Sequence, residues 1–246
     1  MRYTLIWLLL AVLLLAACAD STPTPEQQTV TFARVVDLSH VITQDMPHAP
    51  GTPPTHLLRA PEDGRVEGLQ IALVQGTSLR LPAAAEPRNV ETLSPRDLVL
   101  PAVVLDVRDA AQDTPTYALS SAEIAAWERE HGRIPPGSMV LLATGWDIRW
   151  GSPERYLNLD PQQRPRVPGL SAEAVALLDE RGVAGVGSDT PALIGDTDAL
   201  PDDWLLLTNL TSVEQLPPTG ATLSIGALRV QSGLASPARV LALVPS

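Results

Sequence analysis

The sequence predicts a single domain of mixed α/β class, and three observations predict it. Near-continuous apolar runs of strand length occupy the middle of the chain. Between them lie stretches bounded by helix start and stop residues. Strand-like runs then dominate both ends of the domain, so an all-helical reading does not fit.

The elements follow in order. MRYTLIWLLLAVLLLAAC opens the chain, with Arg2 as a positive start and an apolar run from Leu5 to Leu15. That pattern is a secretory leader, too short for a comfortable membrane span; an uncleaved anchor helix is the alternative. Leu15-Ala16-Ala17-Cys18 resembles a bacterial lipobox. It implies that residues 1–17 are a signal peptide and that Cys18 carries lipid. Such a lipid holds a protein on a membrane without spanning it. Residues 18–31, polar and proline-bearing, read as a flexible tether. The domain is then 32–246, in the bacterial cell envelope, lipid-anchored and extracytoplasmic.

Composition narrows the partners. The formal net charge is −11, and a negative surface attracts neither nucleic acid nor anionic lipid. Cys18 is the single cysteine, so no thiol remains for a disulfide or a soft metal site once it is lipidated.

Within the domain, ARVVDLSHVI and GLQIALVQGTS read as strands from their aliphatic content. PAVVLDVR and GSMVLLATGW are apolar enough for a sheet covered on both faces. SSAEIAAWEREHG between them is a helix, with Ser120 and Glu123 forming a capping box and Gly132 as its stop. SAEAVALLDERG is a second helix, capped by Ser171 and stopped at Gly182. VAGVGSDT, DWLLLTNL, ATLSIGALRV and ARVLALV supply the remaining strands. The 24 prolines fall largely between these segments, where they punctuate rather than interrupt.

The order VVDLSHVI, QGTSLRLP, LPAVVLDV, LLATGWDIRWG, PGLSAEAVALLDERGVAGVGSDTPAL and GLASPARVLALV resembles the cyclase family, which includes the kynurenine formamidases. The resemblance spans about residues 34–244 and implies that family's β/β/α fold. It also implies metal-dependent hydrolysis of amides or esters at H-x-G-T-H-x-D-x-P-x-H, with zinc or manganese as cofactor. A metal of this kind lowers the pKa of bound water toward 7, and a neighbouring base completes the attack. A further glutamate lies near the family's C-terminus.

On this chain the motif is Val74-Gln75-Gly76-Thr77-Ser78-Leu79-Arg80-Leu81-Pro82-Ala83-Ala84. The resemblance puts Val74, Ser78 and Arg80 at metal-ligand positions, Ala84 at the base position and Thr208 at the glutamate position. Gly76, Thr77 and Pro82 are kept, but every chemical group is changed. A guanidinium at Arg80 repels a cation. His48 and His56, eight residues apart in a proline-rich loop, are the alternative donors if a metal site has moved.

Two retained residues belong to the same expectation. Asp189 reads either as a site carboxylate, able to neutralise Arg80, or as a turn residue bonded to backbone. Trp146 reads either as a cleft wall or as packing beside the sheet. The favoured reading is a pseudoenzyme without bound metal. Its vestigial pocket, lined by Val74, Ser78, Arg80, Ala84, Thr208, Asp189 and Trp146, holds a small anionic ligand through Arg80. Strand alternation is expected to point Val74, Ser78 and Arg80 into one cleft. The alternatives are an arylformamidase-like hydrolase of amide C–N bonds with a rearranged site, and a structural subunit of a homo-oligomer.

Overall fold

The computed structural model describes residues 31–83, 88–193 and 200–246. Its architecture turns on one long strand. β12 (Ala235–Pro245) pairs with three others along its eleven residues: β1 (Phe32–Asp37), β4 (Ser78–Arg80) and β11 (Thr222–Ala227). Residues 235–237 meet β4, and residues 238–243 meet β11. That division closes a ring in the order β12-β11-β5-β7-β9-β10-β4 and back to β12. The remaining ring strands are β5 (Val99–Asp106), β7 (Met139–Ala143), β9 (Gly185–Ser188) and β10 (Leu205–Thr208). Closure pairs these strands on both sides and removes their free edges.

β5, β7, β9 and β10 run parallel, which accounts for their apolar sequences: both faces are covered. All five residues of β7 are buried. Inside the ring, Leu79, Leu141, Leu207, Leu223 and Val240 form the principal core. Outside it, Val140, Leu142 and Val186 face Ile124, Ala174 and Leu178 of the two predicted helices.

Those helices begin where the sequence places them. Ser120 Oγ accepts from the Glu123 amide at 3.3 Å, while the Ser120 amide donates to Glu123 Oε2 at 2.9 Å, over the helix Ser121–His131. Ser171 caps Ala172–Glu180 by accepting from the Ala174 amide at 3.2 Å. Arg181 clasps Glu128 with two bonds of 2.8 and 2.9 Å, locking one helix to the other.

A glycine fixes the closest strand approach. A Cβ on Gly185 would sit 2.0 Å from the Leu205 carbonyl oxygen, so only glycine admits β10 at this point.

The structure corrects the strand expected over 68–78. That stretch divides into the end of β3 (Val66–Gln70), a turn and the start of β4. β3 pairs only with β2 (His56–Arg59), in a separate two-stranded hairpin. The break is held by Gln75, 1% exposed, whose side chain serves the proline-rich loop. Its Oε1 accepts from Thr55 and Ala72, and its Nε2 donates to the Pro53 carbonyl at 2.7 Å. Gly76 then reverses direction at φ +67°. An apolar run of this length carries no sign of such a break, because the anchoring partners are distant in sequence.

A two-strand ladder of β6 (Ala118–Leu119) and β8 (Gly169–Leu170) completes the strands of the described residues. None of the described helices is long and apolar enough to cross a membrane. The leader, Cys18 and most of the tether lie outside the described residues.

Candidate functional site

The parallel strands end on one edge of the ring, the edge where α/β sheets gather functional groups. Thr144 follows β7, Asp189 follows β9 and Asn209 follows β10. β4 runs antiparallel to β10, so its first residue reaches the same edge, with Ser78 opposite Thr208.

Ser78 Oγ and Thr208 Oγ1 lie 3.0 Å apart, and both residues are buried. Two positions 130 residues apart, placed in one site by the resemblance, therefore touch. Leu79 and Leu207, their neighbours in sequence, point into the ring core. Alternation turns Ser78, Arg80 and Thr208 to the other face of the sheet. Arg80, at the far end of β4 opposite Leu206, is half-buried, and burial pushes its guanidinium pKa down. Among the described residues no carboxylate forms an ion pair with it.

The strand does not extend to Val74. That residue sits in the turn before β4, half-buried, so the alternation argument stops at Ser78. Ala84 lies outside the described residues.

Asp189 is 3% exposed and serves the backbone. Its carboxylate accepts from the Thr144 amide at 3.1 Å, the Trp146 amide at 3.1 Å and the Thr144 hydroxyl at 2.5 Å. This carboxylate shapes the Thr144-Gly145-Trp146 turn and makes no ion pair with Arg80. Burial pushes its pKa up to about 6, against the hydrogen bond from Thr144 and with a contribution from nearby Asp147. Trp146, 2% exposed, donates its indole N–H to the Tyr156 carbonyl at 2.7 Å, and Arg149 lies 4.0 Å over its ring. Its burial matches the packing reading rather than a cleft wall.

Asn209 and Tyr156, which help to organise the edge, were not singled out in the sequence. Asn209, in left-handed backbone at φ +56°, donates from Nδ2 to the Gly76 carbonyl at 2.6 Å. Its Oδ1 lies 2.9 Å from the Tyr156 hydroxyl, which also lies 3.0 Å from the Asp189 carbonyl. The Thr77 hydroxyl donates to the Asn209 carbonyl at 2.6 Å and accepts from the His40 amide at 3.0 Å. Asparagine tolerates the left-handed region and bonds locally, so an Asn at a strand end is the one clue available. His40 in turn stacks on Trp150, ring centroids 3.9 Å apart and planes 5° from parallel.

Zinc or manganese does not fit the donors at these positions. Val74 offers no donor atom, and Arg80 is a cation. Ser78 and Thr208 are neutral hydroxyls already bonded to each other, whereas such ions take imidazole, thiolate or carboxylate. Among the described residues no three His, Cys, Asp or Glu side chains gather into a metal-sized cluster. His48 and His56 are both exposed, one in the loop and one opening β2.

Comparison with known proteins agrees with the fold and with the order of motifs. An isatin hydrolase from Roseibium aggregatum is 33% identical over 167 residues, which cover 63% of this chain and 63% of that protein. The match thus spans less than two thirds of that relative. The solved isatin hydrolase A from Ralstonia solanacearum is 30% identical with a TM-score of 0.76, over 86% of this chain and 92% of that one. An isatin hydrolase bound to the product analogue thioisatinate is 27% identical with a TM-score of 0.78, over the same shares. The Cyclase family model matches residues 36–193, well over half of the chain. Carrying that pattern on a ring whose motif strands meet at one edge, the chain belongs to the cyclase family.

Proposed function

We propose that this protein is a non-hydrolytic member of the cyclase family that binds a small carboxylate-bearing molecule at the cell envelope. One observation carries the reading: Ser78 and Thr208 bond each other at 3.0 Å where the family resemblance calls for a histidine and a glutamate. Two mutually satisfied hydroxyls neither hold a divalent ion nor activate water. Arg80 adds a fixed positive charge on the same face. A guanidinium takes a carboxylate through two parallel N–H bonds. Thioisatinate, held by one relative, is an aromatic anion of this kind. The ligand class proposed here is therefore the product side of an isatin-type hydrolysis, bound rather than formed.

Calorimetric titration of the full chain with isatinate and benzoate tests the reading. Binding should be one to one and fall about tenfold or more in Arg80→Gln, the loss of a charged hydrogen bond. No binding, or equal binding by Arg80→Gln, removes the carboxylate site.

A second reading rests on the 33% identity to a named isatin hydrolase: hydrolysis of an amide C–N bond by a rearranged site. A third, a structural subunit in a homo-oligomer, rests on the β2–β3 hairpin, where Leu58 is 58% and Val66 is 48% exposed. The envelope location rests on the Leu15-Ala16-Ala17-Cys18 sequence and the leader before it. Cys18→Ala should release the protein from membranes or leave an unprocessed precursor. Processing and fractionation like the parent would exclude lipidation.

A further inference from the structure

The carboxyl end of β5 carries a feature in which neither Arg80 nor the hydroxyl pair takes part. A cavity of about 280 Å³ opens there, between the strand end, the short helix Arg108–Ala111 and the helix Ser121–His131. It lies outside the ring. Leu105, Val107 and Leu119 of its lining belong to the core beneath the helices, and half-buried Tyr117 and Trp127 pack against that core. Crevices beyond the carboxyl ends of parallel strands are where α/β sheets take small ligands.

We propose that this cavity binds a small primary amine, as its ammonium, carried on a compact apolar body. Charge complementarity is the argument. Asp106, Asp109 and Glu123 all line the cavity, and no Arg or His does among the described residues. Arg108, the neighbouring guanidinium, lies outside the lining. Asp106 holds it at 2.7 and 2.9 Å, with a weaker pull from Asp109. Three carboxylates against one guanidinium leave the cavity negative. Asp109 forms no ion pair among the described residues.

Glu123 is held in place by neutral donors. The Ser120 amide and hydroxyl donate to its Oε2 at 2.9 and 2.6 Å, and the Tyr117 hydroxyl donates to its Oε1 at 2.7 Å. Burial pushes the Glu123 pKa up, but these bonds outweigh it and hold the carboxyl below its usual value. Its charge therefore persists at neutral pH without a counter-charge, and Oε1 keeps a lone pair for a further donor. An ammonium supplies both through a charge-assisted bond. The walls set the body of the ligand. Ala110 and Ala126 add aliphatic surface to the three core residues, while Tyr117 and Trp127 are aromatic and favour a cation beside a small ring.

Benzylammonium is the probe, and calorimetry on the purified full chain is the measurement. One site per chain is expected, with a Kd below about 1 mM. Benzyl alcohol keeps the ring and a donor but loses the charge, and should bind about tenfold more weakly. Ammonium chloride, charge without a ring, should not bind at the same concentrations. Asp109→Asn and Glu123→Gln should each weaken benzylammonium about threefold, as the loss of one partly exposed charge pair. Glu123 also caps its helix, so Asp109→Asn is the deciding variant. Asp63→Asn, in the β2–β3 turn, should leave binding unchanged. The proposal is overturned if benzylammonium shows no saturable binding up to about 1 mM, or if benzyl alcohol or ammonium chloride binds equally well. It is also overturned if Asp109→Asn binds like the parent, or if Asp63→Asn weakens binding as much, since overall charge is then the cause.

Discussion

The Ser78 and Thr208 hydroxyls face each other at 3.0 Å across an antiparallel pair of strands, buried and mutually satisfied. Removing one leaves the other without its partner. Ser78→Ala or Thr208→Val alone should cost about 1–3 kcal/mol in urea unfolding. The double variant should cost less than the sum, because no orphaned hydroxyl remains. Additive losses would mean that the pair is not a coupled unit.

Asn209 is the residue on which the edge depends most. Its side chain ties the Gly76 turn to Tyr156, and its backbone adopts φ +56°. Asn209→Gly keeps the backbone conformation and loses the bonds, while Asn209→Ala loses both. Thermal melts should therefore rank parent above Gly above Ala, with Ala lower than Gly by about 0.5–1 kcal/mol. Equal melting of the two variants would show that the left-handed conformation carries no cost there.

Gly185→Ala should be the most damaging small substitution in the sheet. Its Cβ would sit 2.0 Å from the Leu205 carbonyl oxygen, so β9 and β10 must separate. A loss of about 3 kcal/mol or more, or failure to fold, is expected. A parent-like melt would contradict the strand spacing described.

Much of this was legible in the sequence because local signals and packing agree. The Ser120–Glu123 box and the Ser171 cap start helices where expected. The apolar runs of β5 and β7 report strands buried on both faces. The pairing of Ser78 with Thr208 followed from motif order in the family resemblance, not from any local pattern. The strand expected through Val74 is interrupted because the break at Gln75 is made by Thr55 and Pro53, some twenty residues away. The Asn209–Tyr156 bond and the His40–Trp150 stack join residues more than fifty apart, a distance at which no spacing rule operates. Closure of the ring through β12 was equally silent, since one continuous apolar strand gives no sign of serving three partners.

Two desolvated groups, half-buried His40 and buried Asp189, pull the pH response in opposite directions. His40 is held down at about 4 from 6.5, so the native state binds fewer protons than the unfolded state between those values. Stability from this group is present above pH 6.5 and lost as pH falls toward 4. Asp189 is pushed up to about 6 from 3.8, so its contribution is present at low pH and lost as pH rises toward 6. His40→Phe keeps an aromatic ring against Trp150 and removes the first effect. Its melting temperature relative to the parent should fall progressively as pH rises from 4 to 6.5. A constant difference across that window would show that His40 titrates normally in the folded protein.

Loss of the metal-dependent reaction is the central claim, and metal content measured together with hydrolysis tests it most directly. The purified full chain is assayed by elemental analysis, by melting with and without chelator, and by isatin and N-formylkynurenine turnover with added manganese or zinc. The side chains of Val74, Ser78, Arg80 and Thr208 predict far less than one metal per chain, a melt indifferent to chelator and no turnover. About one tightly held metal per chain, together with chelator-sensitive hydrolysis, would contradict the account.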